Sequence, residues 1–222
     1  VTIVIPEGYT QAQILQTLAD NGVAELSELQ DTAANYDFEY SFLQDIELGL
    51  ENRLEGYLFP DTYEFYVGES TITAINKMLA NFNNKFDSEM RDQAAEMGYS
   101  MHEILTIASL IEREAANDSE RAIIASVIYN RLNSDSFPNL QIDASIQYVL
   151  PEGEIVTQED YYTVDSPYNT YLYEGLPPGP IACPGLASIV AALNPESTNY
   201  YYYALGEDGQ HHFSTTAEEH EA

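Results

Sequence analysis

The segment from residue 104 to residue 115 constrains the fold most, because its apolar residues follow the spacing of one buried helical face. These residues recur at every third or fourth position: Ile104, Ile107, Ala108, Ile111 and Ala115. Glu112 falls along the same side, with the small residues Ala108 and Ala115 one turn before and after it. We predict a helix over residues 101–116 that carries a carboxylate on its apolar side.

This placement makes Glu112 the candidate for acid–base chemistry. Burial disfavours the charged form of a carboxylate, and the neighbouring alanines leave room for another molecule to approach. A carboxylic acid that keeps its proton beside an open groove can protonate a glycosidic oxygen. The structural alternative is that Glu112 lies at the edge of the apolar face and pairs with Arg113 or Arg121.

The charge of the chain excludes several function classes. The 222 residues include 37 acidic and 7 basic side chains, for a net charge of −30. Nucleic acids and anionic membrane surfaces are bound through clustered Lys and Arg, so we expect neither as a partner. Cys183 is the single cysteine, and no Cys or His spacing resembles a zinc site. We therefore expect no internal disulfide, no metal and no cofactor.

The chain has no apolar run long enough to span a bilayer, and its amino terminus lacks the features of a signal peptide. It begins with Val1 rather than with Met. We therefore expect a fragment whose upstream anchor or signal has been removed.

The first 100 residues predict two regions. Residues 1–6 predict a strand, and Thr10 can cap a helix that ends near Gly22. An acidic, helical stretch follows to residue 50, after which residues 55–65 are aromatic and β-prone. We place a domain boundary near residue 50 and predict one amphipathic helix over residues 71–97, closed by a glycine.

The second half of the chain predicts helices around a long loop. Helices are expected over residues 120–132 and 186–193, and residues 151–185 are rich in Pro, Gly and Tyr, as is typical of functional loops. Residues 200–214 predict a hairpin with a Gly-containing turn. Its tyrosines at positions 200–203 either pack one face of the strand into the core or form a platform on which sugars stack.

Nine short motifs occur along the chain. They are EGYLFPDTY at 55–63, IASLIERE at 107–114, ASVIYNRL at 125–132, LQID at 140–143, YNTY at 168–171, GLPPG at 175–179, ACPG at 182–185, ALNP at 192–195 and HHFS at 211–214. Together they make the chain resemble the YceG-like, or MltG, family of endolytic murein transglycosylases. The strand, turn and helix around IPEG at 5–8 are similar to the LysM-like subdomain of that family.

The resemblance implies an α+β fold. A small LysM-like module would occupy residues 1–50, and a lysozyme-like, helix-rich catalytic domain would occupy residues 51–222. Residues 50–66 and 200–214 would form its β-rich flank. The resemblance also implies a membrane anchor, a position at the outer face of the bacterial plasma membrane, and peptidoglycan glycan strands and cell-wall synthases as partners.

The resemblance implies a reaction as well. The catalytic glutamate of the family falls on Glu112, the residue that the helical pattern also selects. It would cleave the β-1,4 bond between N-acetylmuramic acid and N-acetylglucosamine without water, acting first as an acid and then as a base. A hydrolytic glycosidase ordinarily needs a second carboxylate, for which the sequence offers no convincing candidate. The alternatives are a hydrolytic muramidase and a non-catalytic glycan-binding scaffold.

Five residues are the candidates for substrate contacts. Gln141, Tyr168 and Asn169 are expected to form hydrogen bonds with N-acetyl and hydroxyl groups, and Tyr171 to stack on a pyranose ring. His212 is expected to orient the sugar or the catalytic carboxyl. For Gln141 and Asn169, stabilisation of the loop is an equal alternative.

Three other polar residues are expected to serve the fold. Glu114 lies on another side of the predicted helix from the candidate acid and is expected to be solvated or salt-bridged. Asp143 is expected to cap a short helix that runs to Leu150, and Arg131 to pair with an acidic residue.

Overall fold

The structure, a computed structural model, describes residues 1–222. The helices are α1 (Gln11–Asp20), α2 (Leu26–Asn35), α3 (Thr71–Lys85), α4 (Ser88–Glu96), α5 (Met101–Glu114), α6 (Arg121–Leu132), α7 (Asp143–Gln147), α8 (Asp160–Thr163), α9 (Leu186–Leu193) and α10 (Ala217–Glu221). The strands are β1 (Thr2–Val4), β2 (Thr62–Glu64), β3 (Tyr202–Leu205) and β4 (His211–Ser214). Two antiparallel two-stranded sheets in a helix-rich chain confirm the predicted α+β class. None of the helices combines the length and the apolar character needed to cross a membrane.

The chain divides into two compact units whose limits differ from the boundary predicted near residue 50. The first unit comprises residues 1–102 and 182–186, and the second comprises residues 103–181 and 187–222. Strand β1 pairs with β2, with Ile3 opposite Tyr63, so residues beyond the predicted boundary supply the backbone partners of the first strand. The assignment of residues 1–50 to a LysM-like module and of residues 51–222 to a lysozyme-like domain stays a prediction.

The first unit begins with the predicted strand and capped helix. The Thr10 hydroxyl accepts a hydrogen bond from the backbone N–H of Gln13 at 3.2 Å, and the Gln13 side chain accepts one from the Thr10 N–H at 2.9 Å. This reciprocal pair is a capping box, which satisfies two backbone donors that a helix start otherwise leaves open. The expected start of α1 is thereby confirmed.

The helix predicted over residues 71–97 is two helices. The chain leaves helical geometry at the fully buried Phe86, and the Asp87 side chain then caps α4 by accepting from the N–H of Met90 at 3.0 Å. Arg91 donates to the Phe86 carbonyl at 3.0 Å and thus occupies an acceptor that the end of α3 exposes. An apolar repeat that continues across the break concealed it, whereas the predicted glycine at the end, Gly98, follows α4 with a φ of +83°.

The second unit is built around the carboxyl-terminal part of α5, whose residues from Ile104 to Ile111 are all buried. Helices α6 and α9 are joined by the Tyr129 hydroxyl, which donates to the Ala192 carbonyl at 2.6 Å. The hairpin β3–β4 has the predicted position, with Tyr203 opposite Phe213. It forms its own two-stranded sheet, separate from the sheet of β1 and β2. The β-rich flank made by residues 50–66 and 200–214 stays a prediction.

Candidate active site

Glu112 lies near the end of α5, and its side chain is 7% exposed. The Ser188 hydroxyl, from α9, donates to Oε2 of Glu112 at 2.6 Å. Nη1 of Arg121, the first residue of α6, lies 3.5 Å from Oε1 of Glu112. Three helices of the second unit therefore supply the carboxyl and two of its polar partners. The predicted placement of this acid among buried residues is confirmed, and so is the ion pair that we weighed as its structural alternative.

Arg121 and Ser188 also contact each other. Nη1 of Arg121 donates to the Ser188 hydroxyl at 2.6 Å, while Nε donates to Asp118 at 3.1 Å. Ser188 is fully buried. Sequence reasoning missed this serine, and the available signal was its place as the one polar side chain of the segment LASIVAAL. A buried hydroxyl in such a helix requires a hydrogen-bonding partner.

Glu114 has a different environment. Its carboxylate accepts a hydrogen bond from the Tyr203 hydroxyl at 3.1 Å, and it forms no salt bridge. Burial raises the pKa of Glu114 above its usual value, the Tyr203 hydroxyl lowers it, and the charge of Asp143 raises it further. The expectation of a solvated or salt-bridged residue is therefore wrong, because the hairpin covers this side of α5 with a tyrosine.

Asp143 holds two tyrosines. Its carboxylate accepts from the hydroxyls of Tyr171 at 2.6 Å and Tyr161 at 3.1 Å, and the two rings stack with centroids 3.9 Å apart and planes at 5°. Ile142 stands at the cap position of α7, and the Asp143 side chain makes no capping bond. The predicted helix cap is therefore wrong, because the tyrosine hydroxyls engage both carboxylate oxygens. We call Glu114, Tyr203, Asp143, Tyr161 and Tyr171 the tyrosine cluster.

Gln141 is the only residue other than glycine with a positive φ, 55°. Its backbone N–H donates to the Thr170 carbonyl at 3.1 Å, and its side-chain oxygen lies 3.4 Å from Nη1 of Arg131. The residue is exposed. Left-handed backbone geometry is costly for a residue with a Cβ atom and is often retained at functional sites, so Gln141 remains a candidate for a substrate contact.

Asn169 serves the loop in which it lies. It is fully buried, its amide donates to the Val164 carbonyl at 2.9 Å, and its side-chain oxygen accepts from the Tyr171 N–H at 3.0 Å. These bonds favour loop stabilisation over a direct contact with substrate. The neighbouring Tyr168 is partly exposed, and its ring packs against Tyr148 with centroids 5.1 Å apart.

The hairpin presents its two histidines to different surroundings, as alternation along a strand requires. The predicted site residue, His212, is 68% exposed and approaches Asp208 of its own turn at 3.2 Å. The adjacent His211 is 7% exposed and meets Glu120 twice, through its backbone N–H at 2.8 Å and through Nδ1 at 2.8 Å. His211 fastens the hairpin to the start of α6, and a substrate role for His212 stays a prediction.

Arg131 has no acidic partner, so that prediction is wrong. Its guanidinium donates to the carbonyls of Tyr201 at 2.6 Å and Asn139 at 2.8 Å, and it lies 5.0 Å from the centre of the Tyr202 ring. Burial lowers the pKa of Arg131. The residue ties the hairpin strand to the segment that carries Gln141. The tyrosines at 200–203 accordingly pack within the second unit, Tyr201 against Phe137 at 5.0 Å.

The site presents a carboxyl group and an aromatic surface. No three His, Cys, Asp or Glu side chains are grouped so as to hold a metal ion. Glu112 supplies a carboxyl that accepts a hydrogen bond from Ser188 and pairs with Arg121, and the stacked tyrosines supply a flat aromatic surface next to the exposed carboxylate of Asp143.

The sequence profile of the YceG-like family matches residues 1–222, and this chain therefore belongs to the YceG-like family. The endolytic murein transglycosylase of Bacillus subtilis (strain 168) is 36% identical to it over 214 residues, which are 96% of this chain and 57% of that protein. The endolytic murein transglycosylase of Streptococcus pneumoniae serotype 2 (strain D39) is 33% identical over 243 residues, with 99% of this chain and 43% of that protein covered.

The chain spans about half the length of the curated relatives it matches. Among solved structures, a YceG-like protein from Listeria monocytogenes superposes with a TM-score of 0.87 and 36% sequence identity. That match covers 99% of this chain and 75% of the Listeria chain.

Proposed function

We propose that this chain is the catalytic part of an endolytic murein transglycosylase that cleaves the β-1,4 bond between N-acetylmuramic acid and N-acetylglucosamine within glycan strands. The observation that carries the proposal is the carboxyl of Glu112, nearly buried and held at 2.6 Å by Ser188, in a chain whose similar relatives bear that enzyme's name. A positioned carboxyl of this kind can serve as a general acid and base.

The reaction needs one residue in two roles. In the first step, Glu112 gives its proton to the oxygen of the glycosidic bond, which breaks as positive charge develops at C1 of the muramyl residue. In the second step, the Glu112 carboxylate takes the proton of the muramyl C6 hydroxyl, whose oxygen closes onto C1. The products are a 1,6-anhydromuramyl end and a free N-acetylglucosamine hydroxyl, and no water is consumed. Glu112 ends the cycle in the protonation state in which it began.

The substrate contacts belong to the same proposal. Tyr171, held flat against Tyr161, would stack on a pyranose ring, and the strained, exposed Gln141 would form a hydrogen bond with an N-acetyl group. Tyr168 and His212 would contact hydroxyls. Asn169 would act indirectly, by holding the loop that carries the stacking tyrosine.

The cellular setting also belongs to the proposal. We place the protein at the outer face of the bacterial plasma membrane, joined to it by an anchor, where it would shorten or end nascent glycan strands beside cell-wall synthases. The LysM-like and lysozyme-like character of its parts rests, like this setting, on the family resemblance.

The second candidate function is hydrolysis by the same site. The observation that favours it is Glu114, whose pKa is raised by burial two residues from the candidate acid, because a hydrolytic glycosidase uses two carboxyl groups. The transglycosylase remains the stronger proposal because both named relatives are transglycosylases.

Mass spectrometry of the soluble products from purified peptidoglycan tests the proposal. We expect 1,6-anhydromuramyl ends, which are lighter by one water than the products of hydrolysis. Reducing muramyl ends would instead establish hydrolysis. If the chain binds glycan and releases no product at any enzyme concentration, the scaffold alternative replaces both catalytic functions.

A further inference from the structure

We infer that Ser188 is a positioning residue that, together with Arg121, fixes the orientation of the Glu112 carboxyl. The inference rests on the proposed function. Both residues act through the acid and do not contact the substrate.

The direction of each hydrogen bond follows from the chemistry of the three groups. An arginine guanidinium carries donors only, so Nη1 of Arg121 must donate to the Ser188 oxygen across their 2.6 Å contact. The single hydroxyl proton of Ser188 is then free to point at Oε2 of Glu112, also 2.6 Å away. The three residues form a hydrogen-bonded series, in which Arg121 orients the Ser188 hydroxyl and Ser188 orients the Glu112 carboxyl.

Burial restricts the motion of these three hydrogen-bonded side chains. Ser188 is fully buried, and the side chains of Arg121 and Glu112 are 12% and 7% exposed. A hydroxyl in such a place has little access to water, so its two protein partners account for its retention in an apolar helix. Asp118 accepts from Nε of Arg121 at 3.1 Å and limits the rotation of the guanidinium.

The arrangement distinguishes the two carboxyl oxygens of Glu112. Oε2 accepts the short bond from Ser188, whereas Oε1 lies 3.5 Å from Nη1 of Arg121, beyond a short hydrogen bond. The serine therefore holds the carboxyl through Oε2, the oxygen with the short hydrogen bond. Without the serine, the terminal torsion of glutamate is broad and roughly two-fold, and the carboxyl would sample other orientations.

The first experiment replaces Ser188 with alanine and measures kcat, KM and Tm on purified glycan strands. Because misplacement of a reacting group by about 1 Å can cost about 100-fold in rate, we expect kcat to fall by about 10- to 100-fold. KM should change little, because the serine is buried behind the acid and does not reach the substrate.

Ser126→Ala is the matched control. Ser126 is also a buried helical serine, 2% exposed, and its hydroxyl bonds the Ile123 carbonyl at 2.7 Å and the Thr198 hydroxyl at 2.7 Å. Both variants should lower Tm by similar amounts, and only Ser188→Ala should lower kcat. An equal loss of kcat in the control would mean that the effect is structural and would overturn the inference.

A double-mutant cycle tests whether Arg121 acts through Ser188. Arg121→Met removes the donor that orders the serine, and the double variant should lose less activity than the product of the two single losses, because the residues act in series. If the loss of kcat in the double variant equals the product of the two single losses, the residues act independently and the inference is overturned. If Ser188→Ala does not fold, Ser188→Cys takes its place, since it has similar volume and a weaker donor and should also lower kcat.

The outcomes separate this inference from the proposed function. If the wild type cleaves, Glu112→Gln does not, and Ser188→Ala cleaves at the wild-type rate, the inference fails and the proposed function stands. If the wild type and Glu112→Gln are equally inactive on every glycan preparation, the proposed function fails, and the inference fails with it.

Discussion

Glu112 and the tyrosine cluster are two carboxylate environments at the same end of α5. Glu112 faces a cation and a buried serine, with partners from α6 and α9. Glu114, two residues further, faces the hydroxyl of Tyr203 and feels the negative charge of Asp143. Both acids are partly buried, so burial alone does not separate them. Their partners do, and the partners come from distant parts of the chain.

The two environments suit different tasks. The Glu112 carboxyl accepts a short hydrogen bond from Ser188 and forms an ion pair with Arg121, and a carboxyl held in this way suits proton transfer. The tyrosine cluster holds its carboxylates with phenol hydroxyls and turns two stacked rings into a fixed surface, which suits binding. Substitutions that change one environment at a time separate these two tasks.

The largest effect is expected from Glu112→Gln. An amide of the same size cannot act as acid or base, so cleavage should fall by about 100-fold or more while glycan binding is kept. Product release measured by mass spectrometry, together with a glycan pull-down, checks both halves. Glu103→Gln, an exposed change on the same helix, is the control and should leave the rate unaltered. Persistent cleavage by Glu112→Gln would transfer the catalytic assignment to another residue.

Tyr171→Ala should weaken binding rather than chemistry. Loss of the ring removes the stacking surface, worth about 1 kcal/mol, so KM should rise by about 5- to 10-fold with a smaller change in kcat. Tyr171→Phe keeps the ring stacked on Tyr161 and loses only the bond to Asp143, so it should retain most of the affinity. Equal KM values for the wild type and Tyr171→Ala would remove the tyrosine cluster from the glycan site.

Glu114→Gln should change the pH dependence of stability. Burial raises the pKa of Glu114, so the native state binds its proton more tightly than the unfolded chain does. That stabilisation is present below the unfolded pKa and is lost as the pH rises through the folded pKa. The variant has no proton to lose, so its Tm should exceed that of the wild type by about 2–4 °C at pH 8, the response to about 1 kcal/mol in a chain of this size.

At pH 4 the Glu114→Gln variant and the wild type should unfold at similar temperatures. Thermal unfolding scans of both proteins between pH 4 and pH 8 measure the difference in Tm. The catalytic rate of Glu114→Gln should stay close to that of the wild type. A loss of cleavage in a folded Glu114→Gln protein would blur the distinction between the two environments and favour the hydrolytic alternative.

Gln141→Gly should give the smallest effect. Glycine adopts the φ of 55° without strain, so the variant should gain about 0.5–1 kcal/mol of stability. Gln141→Ala loses the amide and keeps the strained backbone, so it separates the effect of the side chain from the effect of the backbone strain. Both variants should raise KM if the amide contacts glycan, and only the glycine variant should raise Tm. A glycine variant with unchanged KM would assign Gln141 to the loop alone.

Much of the second unit could be predicted where the cause is local. The burial of Glu112 followed from its place on an apolar helical side, and the hairpin from a Gly-containing turn between β-prone runs. The family motifs supported the same assignments. In the first unit, Thr10 marked the start of α1 because a capping box is a short-range signal.

The contacts that could not be predicted join distant positions. Ser188 lies 76 residues from Glu112 along the chain, and Tyr203 lies 89 residues from Glu114. The local sequence does not indicate that a buried arginine such as Arg131 donates to backbone carbonyls rather than to an acidic side chain. The break at Phe86 was missed for a local reason, because apolar spacing continued across it and outweighed the capping signal of Asp87.

The separation between Glu112 and Ser188 also has a consequence for the newly made chain. Translation produces the acid well before it produces α9, so a nascent chain carries Glu112 for some 76 residues of synthesis without the group that orients it. A chain interrupted in the loop between residues 151 and 185 would contain the entire acid-bearing helix and still lack its ordering serine. The contact between Glu112 and Ser188 is thus a late product of synthesis, although the proposed acid is made early.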